Sequence, residues 1–295
     1  MAMQQRDVLV LLREVVDPRP PADPAEGGAA LRDRGLRRMM NPADLEALEA
    51  ALALGCGPVT ALGVGPERLE DGLRLALAMG ASRAIRVWDH GLEGGDAVAD
   101  GRLLARVLEI LRPGLVATGS RLADRGDEPS PALAAARSGL PVVNAAVGCR
   151  VAGANAEVLR KGDRGARQRI SVPLPCAVLF EAGSAVPRYP DLEGVLAASE
   201  AQVELWGLPE LNLPLWEVGE KGALLRCDGV SLPRPQPIRA PTPAADLPGH
   251  ERVAALLSGG IQARAGVMHF GSPDEAAEGL FRILCREGLV PGGAP

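Results

Sequence analysis

The sequence is poor in aromatic residues and in lysine. Aromatic residues make up 2% of the 295 positions, and Lys161 and Lys221 are the only two lysines. The net charge is −5, so the chain as a whole is acidic. A nucleic-acid-binding protein is expected to carry a basic face, which argues against that class and predicts no nucleic-acid partner.

Long apolar runs and targeting signals are also missing. No apolar stretch approaches the roughly 20 residues of a membrane-spanning helix, and the first ten residues lead directly into a strand. We therefore expect a cytoplasmic protein that does not insert into a membrane.

The cysteines and histidines are dispersed, with no C-x-x-C pair and no spacing typical of metal ligands. Five is an odd number and the intervals are long, so free thiols are expected rather than disulfides, and no metal site is expected. The residues are Cys56, Cys149, Cys176, Cys227 and Cys285, with His90, His250 and His269.

Familiar catalytic motifs are absent as well. The sequence contains no G-x-S-x-G, no H-E-x-x-H and no P-loop lysine motif. Gly63-Val64-Gly65 is not followed by the third glycine of a Rossmann fingerprint. The chain therefore does not look like a conventional enzyme.

Apolar runs alternate with helical patterns along the first 147 residues. This alternation predicts an α/β fold with a doubly wound, mostly parallel sheet. Residues 151–159, a turn at 162–165 and residues 168–180 predict an antiparallel hairpin at the sheet edge. The proline-rich stretch 208–246 and a last amphipathic helix near 273–287 predict a C-terminal arm. We therefore expect one domain over residues 1–205 and an arm over residues 206–295 that packs on a partner.

Two sequence features locate a candidate site. Asn41 precedes Pro42 where a helix begins, and Asp44 is placed to reach back to that cap. In a doubly wound sheet the carboxyl ends of the strands meet at one edge. The loops at 11–17, 63–66 and 119–130 should converge there.

One block of the sequence is unusually specific. Gly65-Pro66, followed by the leucine- and alanine-rich stretch 73–85, resembles a block of the electron transfer flavoprotein β subunit, departing from it at Ser82. The resemblance continues through Asn41-Pro42, the strand 115–119 with Asp124, and Pro187-Arg188-Tyr189-Pro190. It covers residues 8–203, about two-thirds of the chain.

This resemblance implies an electron carrier with an adenine-nucleotide α-hydrolase-like fold. In that family the chain forms a heterodimer with an α subunit, which holds a redox-active FAD. Electrons arrive from a flavin-dependent dehydrogenase and leave to an acceptor such as a quinone oxidoreductase. Most β subunits bind AMP as a structural ligand, and those of electron-bifurcating members hold a second FAD.

The resemblance also implies positions for AMP contacts. The phosphate loop departs from the family pattern, since this chain has Asp127, Glu128 and Pro129 there. The added negative charge and the missing backbone donor disfavour a phosphate, although Ser130, the helix after it and Arg121 or Arg125 could still bind one. The implied cofactor-binding residues are Leu11, Asn41, Val64, Ala123, Asp124, Asp127 and Ser130.

A docking segment is implied at Arg188, Tyr189 and Leu192, where the family anchors a leucine into its dehydrogenase. The family's lysine-rich continuation is missing, since residues 197–202 contain no lysine. An acidic docking helix would repel an acidic partner surface, so a different dehydrogenase is expected.

Two other functions remain open at this stage. One is a nucleotide-binding structural or regulatory subunit that has lost electron transfer, which the altered phosphate loop favours. The other is an adenine-nucleotide enzyme of similar architecture, such as an ATP pyrophosphatase. Residues 11–14 lack the loop that such an enzyme needs after its first strand.

Overall fold

The central strands of the sheet are short apolar runs that are buried on both faces. Every residue of Val8–Leu11, Leu115–Gly119 and Cys176–Phe180 is buried. Strands of this kind belong to a parallel sheet that is covered by helices on both sides.

The computed structural model describes residues 7–20, 36–225, 243, 245–257, 271–286 and 289–290. Within these residues the strands are β1 (Val8–Leu11), β2 (Glu14–Val16), β3 (Arg38–Met40), β4 (Val59–Val64), β5 (Arg83–Val87), β6 (Leu115–Gly119), β7 (Arg121–Leu122), β8 (Gly126–Asp127), β9 (Val142–Ala152), β10 (Asn155–Lys161), β11 (Arg167–Pro173), β12 (Cys176–Phe180) and β13 (Glu204–Trp206).

Nine of these strands form one sheet in the order β11-β10-β9-β12-β6-β1-β4-β5-β13. In this order, every neighbouring pair from β9 through β12, β6, β1, β4 and β5 to β13 is parallel. Strand β10 is antiparallel to both of its neighbours, β9 and β11. The predicted α/β fold, with a mostly parallel sheet and an antiparallel edge, is confirmed.

Helices cover both faces of this sheet. Alternate residues of β1 point to opposite sides, so Val8 and Val10 pack with α1 and α2, whereas Leu9 and Leu11 pack with α3 and α4. The helices are α1 (Pro42–Leu54), α2 (Glu70–Met79), α3 (Ala97–Leu111), α4 (Ser130–Arg137), α5 (Leu192–Glu200), α6 (Leu208–Leu211), α7 (Gly219–Gly222), α8 (Gly249–Leu257) and α9 (Pro273–Arg286).

The prediction that residues 168–180 form one strand of the hairpin is wrong for the second half of that range. The arm ends at Pro173, and Cys176–Phe180 forms β12, a parallel strand between β9 and β6. Pro173 and Pro175 have no N–H to donate, so they interrupt the ladder and let the chain enter the middle of the sheet.

The chain divides into two units, Met1–Leu232 and Pro233–Pro295. In the first unit, β13 extends the sheet, and the segment after it lies on α3. Arg106 Nε donates to Leu211 O at 2.8 Å, and Arg102 Nη1 donates to Gly222 O at 3.0 Å. In the second unit, the described helices are α8 and α9; the predicted arm also includes 226–242 and 258–270, which lie outside the described residues.

The cysteines in the described part of the chain form no disulfides. Cys56 and Cys176 are buried, Cys149 and Cys285 are half-buried, and Cys227 lies outside the described residues. Burial raises the pKa of Cys149 to about 11 and that of Cys176 to about 12, so both thiols stay protonated. Across the described ranges, no helix has both the length and the apolar character that a membrane span requires.

Gly119 permits the close approach of α1 to the end of β6. A Cβ built at this position would lie 2.6 Å from the Cβ of Ala43 and 2.8 Å from Asp44 Oδ1. We expect Gly119→Ala to lower the free energy of unfolding by about 1–3 kcal/mol because of overpacking, as measured by urea denaturation.

The matched control is Gly148→Ala. Its Cβ would have Leu159 at 3.8 Å as its nearest neighbour, which is an ordinary contact. This variant should be tolerated, and an equal loss in both variants would contradict the steric explanation.

Candidate functional site

The candidate site is a crevice at the carboxyl ends of β1 and β6. The chain runs from β1 to β4 on one side of β1 and later returns to β6 on the other side. In open α/β sheets, ligands bind where the strand order reverses in this way. The crevice is formed by residues 11–17, 41–44 and 118–130.

A buried carboxylate ties the walls of the crevice together. Asp44, on the first turn of α1, accepts hydrogen bonds from Arg13 N and Nε at 3.0 Å and from Arg13 Nη2 at 2.5 Å. It also accepts from Gly119 N at 2.7 Å and from Thr118 Oγ1 at 3.1 Å. Arg13 Nη2 in turn donates to Gly119 O at 2.7 Å. The ends of β1 and β6 are therefore joined by charged hydrogen bonds.

The predicted capping roles of Asn41 and Asp44 are wrong. Asn41 stands at the N-cap position of α1, but its side chain makes no capping hydrogen bond. Its Nδ2 donates to Arg121 O at 2.9 Å, and its Oδ1 accepts from Ala123 N at 3.1 Å. The amide is directed to the loop after β6 because that loop offers both a donor and an acceptor.

The predicted convergence of the loops at 11–17 and 119–130 is visible at Asp124. Asp124 Oδ2 accepts from Val16 N at 3.1 Å, which joins the segment after β1 to the loop after β6. Asp124 Oδ1 is buried without a hydrogen bond, and Arg125 Nε lies 3.7 Å from it. The Asp124 side chain is thus committed to contacts within the chain.

Negative charge collects on the α4 side of the crevice. Glu128 Oε1 accepts from Ser130 N at 3.0 Å, and Glu128 Oε2 lies 3.8 Å from Arg125 Nη2. Asp100, on the first turn of α3, faces this carboxylate. Burial, with a further contribution from Glu128, raises the pKa of Asp100 to about 6. An anion beside the start of α4 would therefore meet the negative charge of Glu128.

The remaining predicted cofactor positions lie around the same crevice. Leu11 is buried in the core with α3 and α4, and Val64 is half-buried at the end of β4. Ala123 is exposed, and Asp127 lies in β8, which pairs with β7. The structure thus brings most of the predicted residues to one edge of the sheet. Val64 lies at the end of β4, whereas the crevice is at the ends of β1 and β6.

The predicted docking residues form a separate surface beside α1. Arg188 makes a bidentate ion pair with Glu49 of α1, with both N–O distances at 2.8 Å. Its guanidinium lowers the pKa of the Glu49 carboxyl. Tyr189 is 97% exposed and Leu192 is 74% exposed. The docking patch consists of these two residues and the exposed side chains of Val186, Val195 and Leu196.

Sequence reasoning missed the partners of three polar residues. Nothing in the sequence pattern singles out Arg13 or Asp100 as a polar contact of this site. Glu128 stands out in the sequence for its charge, but its hydrogen bond from the backbone N–H of Ser130 is not expected there. A carboxylate two residues before a short helix is a usable signal for such a contact.

Comparisons with known proteins show which proteins this chain resembles. Residues 29–211 match the Electron transfer flavoprotein domain family. The chain is 29% identical over 222 residues to the electron transfer flavoprotein subunit beta of Mycobacterium leprae, covering 72% of this chain and 83% of that protein. It is 34% identical over 192 residues to protein FixA of Azorhizobium caulinodans, covering 61% and 68%. For the subunit beta of Methylophilus methylotrophus, identity is 29% over 177 residues, covering 59% and 67%.

The raised pKa of Asp100 predicts a pH-dependent penalty. A carboxyl whose pKa rises from 3.8 to about 6 on folding destabilises the fold once the pH exceeds these values. We expect Asp100→Asn to raise the free energy of unfolding by about 1–3 kcal/mol at pH 8. The gain should shrink toward pH 4, as measured by urea denaturation at several pH values.

Asp96→Asn provides the matched control one helical turn earlier. Burial alone would raise the pKa of Asp96, but backbone N–H donors, among them Ala99 N and Leu225 N, more than offset this effect and lower it. This variant should lose stability at pH 8 because the amide nitrogen of asparagine cannot accept the hydrogen bonds that Asp96 Oδ2 accepts from Leu224 N and Leu225 N. A destabilised Asp100→Asn variant at pH 8 would refute the assignment.

Proposed function

The chain belongs to the electron transfer flavoprotein family as a β-subunit-like member, and on this premise we propose that it is the β subunit of a heterodimeric electron carrier. One observation carries the proposal. The family match over residues 29–211 includes the sheet strands from β4 to β13, the crevice residues 41–44 and 118–130, and the docking patch. In this role the chain is an electron-carrier subunit rather than a conventional enzyme.

The redox-active group in this proposal is an FAD held mainly by a partner α subunit. The flavin supplies the electron transfer, and this chain supplies a rigid wall and docking surfaces. Exposed apolar side chains on the segment after β13 support a partner of this kind. Trp216, Leu224 and Leu225 are each at least 70% exposed, and large exposed apolar residues are typical of interaction surfaces.

The electron donor in this proposal is a flavin-dependent dehydrogenase that binds the docking patch. The patch is apolar at Tyr189 and Leu192, and its nearest charges are Asp191 and Glu193. Arg188 does not offset them, because it is already paired with Glu49. A neutral or basic partner surface around an apolar pocket is therefore favoured. The acceptor is a quinone oxidoreductase or another electron-accepting protein.

The alternative is a structural or regulatory subunit without electron transfer. The acidic loop around Glu128 favours this alternative. A chain that departs from the family pattern at its phosphate loop can also have departed from the family's electron-transfer function. The two functions differ in flavin content, because a subunit that has lost electron transfer has no need of a redox cofactor.

The deciding experiment is to produce the chain together with its α-like partner and to measure the flavin. We expect the two chains to co-purify with about one FAD per heterodimer. The flavin should be reduced by a donor dehydrogenase and reoxidised by an acceptor, followed by its absorbance. A stable heterodimer without flavin would exclude the carrier function.

Leu192 should dominate binding to the donor. A large apolar anchor that enters a partner pocket commonly contributes 2 kcal/mol or more on truncation. We expect Leu192→Ala to raise the KM of the dehydrogenase for the heterodimer at least tenfold, with kcat and FAD content unchanged. Leu205→Ala, which shortens another exposed leucine on β13, is the control and should leave KM unchanged. A normal KM for Leu192→Ala would place the docking surface elsewhere.

A further inference from the structure

The start of α4 offers few free donors to a ligand. Ser130 N already donates to Glu128 Oε1 at 3.0 Å. Pro131 has no N–H, and Leu133 N donates to Pro129 O at 2.9 Å. A phosphate at a helix N-terminus normally depends on several such backbone donors. Here the donor nearest the crevice is satisfied by a side chain of the same loop.

Glu128 is held at this position from two sides. Its side chain is only 10% exposed, and Arg125 lies on its second carboxylate oxygen at 3.8 Å. The same guanidinium contacts Asp124 at 3.7 Å, so the loop arginine is shared between two carboxylates. A negative group, a helix start and an arginine are the components of an anion site. In this chain the negative group is the Glu128 carboxylate, which belongs to the protein itself.

Much of the rest of the crevice is also used for contacts within the chain, although Arg13 Nη1 and Asp124 Oδ1 are buried there without a hydrogen bond. The side chain of Leu11 lies in the core shared with α3 and α4. Both polar atoms of the Asn41 amide are used by the loop after β6. Burial, with a further contribution from Glu128, raises the pKa of Asp100, so Glu128 adds negative charge beside a second carboxyl group. A dianionic phosphate added beside these carboxylates would be strongly disfavoured.

We infer that the Glu128 carboxylate takes the place of a nucleotide phosphate at the start of α4, so that the heterodimer carries FAD but neither AMP nor a second FAD in this crevice. The inference rests on the proposed function, because it concerns the nucleotide content of that heterodimer. With Glu128 in this role, folding and assembly of this chain do not depend on adenine nucleotides. The residues present do not fit AMP, and no step of electron transfer is assigned to it.

The first test is the nucleotide content of the purified heterodimer. The complex is denatured, and FAD and AMP are quantified in the released fraction by liquid chromatography. We expect one FAD and less than about 0.1 AMP per heterodimer. One AMP, or two FAD, would overturn the inference while leaving the carrier function intact. Loss of all flavin would instead refute the proposed function.

The second test asks whether Glu128 fills an anion site. Glu128→Ala frees Ser130 N and Arg125, so inorganic phosphate should raise the Tm of the variant heterodimer by about 3 °C and leave the wild type unchanged. Asp191→Ala is the matched control. It removes a carboxylate that caps α5 by accepting from Gly194 N at 2.7 Å, far along the chain from the crevice.

The comparison has two informative results. A phosphate-dependent rise in Glu128→Ala alone supports the inference. No rise in Glu128→Ala, or an equal rise in Asp191→Ala, would overturn the assignment of Glu128 to an anion site. Should Glu128→Ala fail to fold, the nucleotide content of the wild-type heterodimer still decides the question.

Discussion

The carboxylate of Asp44 is the contact on which the arrangement of the crevice depends. It is fully buried, and it accepts hydrogen bonds from Arg13, Gly119 and Thr118 at once. A buried charge is tolerated only when it is paired and hydrogen-bonded, and removing one partner of such a pair commonly costs 3–5 kcal/mol. Each donor therefore has to stay in place, which fixes the ends of β1 and β6 against the first turn of α1. Gly119 completes this arrangement because a side chain there would displace α1.

Three helix starts show how an acidic chain uses its carboxylates. Asp96 caps α3, and Asp191 caps α5, in each case from the residue just before the helix. At α4 the preceding residue is Pro129, so the carboxylate comes from Glu128, one residue earlier. Negative charge is favourable at all of these sites because the helix dipole places partial positive charge there. Helix α4 differs from the other two because, by the family resemblance, the phosphate of a bound nucleotide would supply the negative charge at its start.

The sequence predicts the elements better than it predicts their partners. Helix α9 (Pro273–Arg286) matches the predicted helix near 273–287 because its amphipathic periodicity is local and repeated. Strand β12 could not be placed, since an apolar run after an antiparallel strand looks the same in a hairpin and in the centre of a sheet. The outcome depends on pairing with β6, which is about 60 residues earlier in the chain. Asp44 was misassigned for a similar reason. A carboxylate on the first turn of a helix can cap that helix or bind a distant strand, and its spacing does not distinguish the two.

Helix α1 connects the crevice to the docking patch through three carboxylates. Asp44 holds the end of β6, Glu46 accepts from Ser184 N at 2.8 Å, and Glu49 binds Arg188. The last two contacts fix the segment that precedes Tyr189 and Leu192, so the exposed apolar residues start from a rigid base. Preorganisation of this kind lowers the entropic cost of docking. Because all three carboxylates belong to the protein, the crevice and the docking patch hold their relative positions without a nucleotide. An internal anion at Glu128 fits this logic, since in the proposed heterodimer it leaves the FAD of the partner subunit as the one group that has to be acquired.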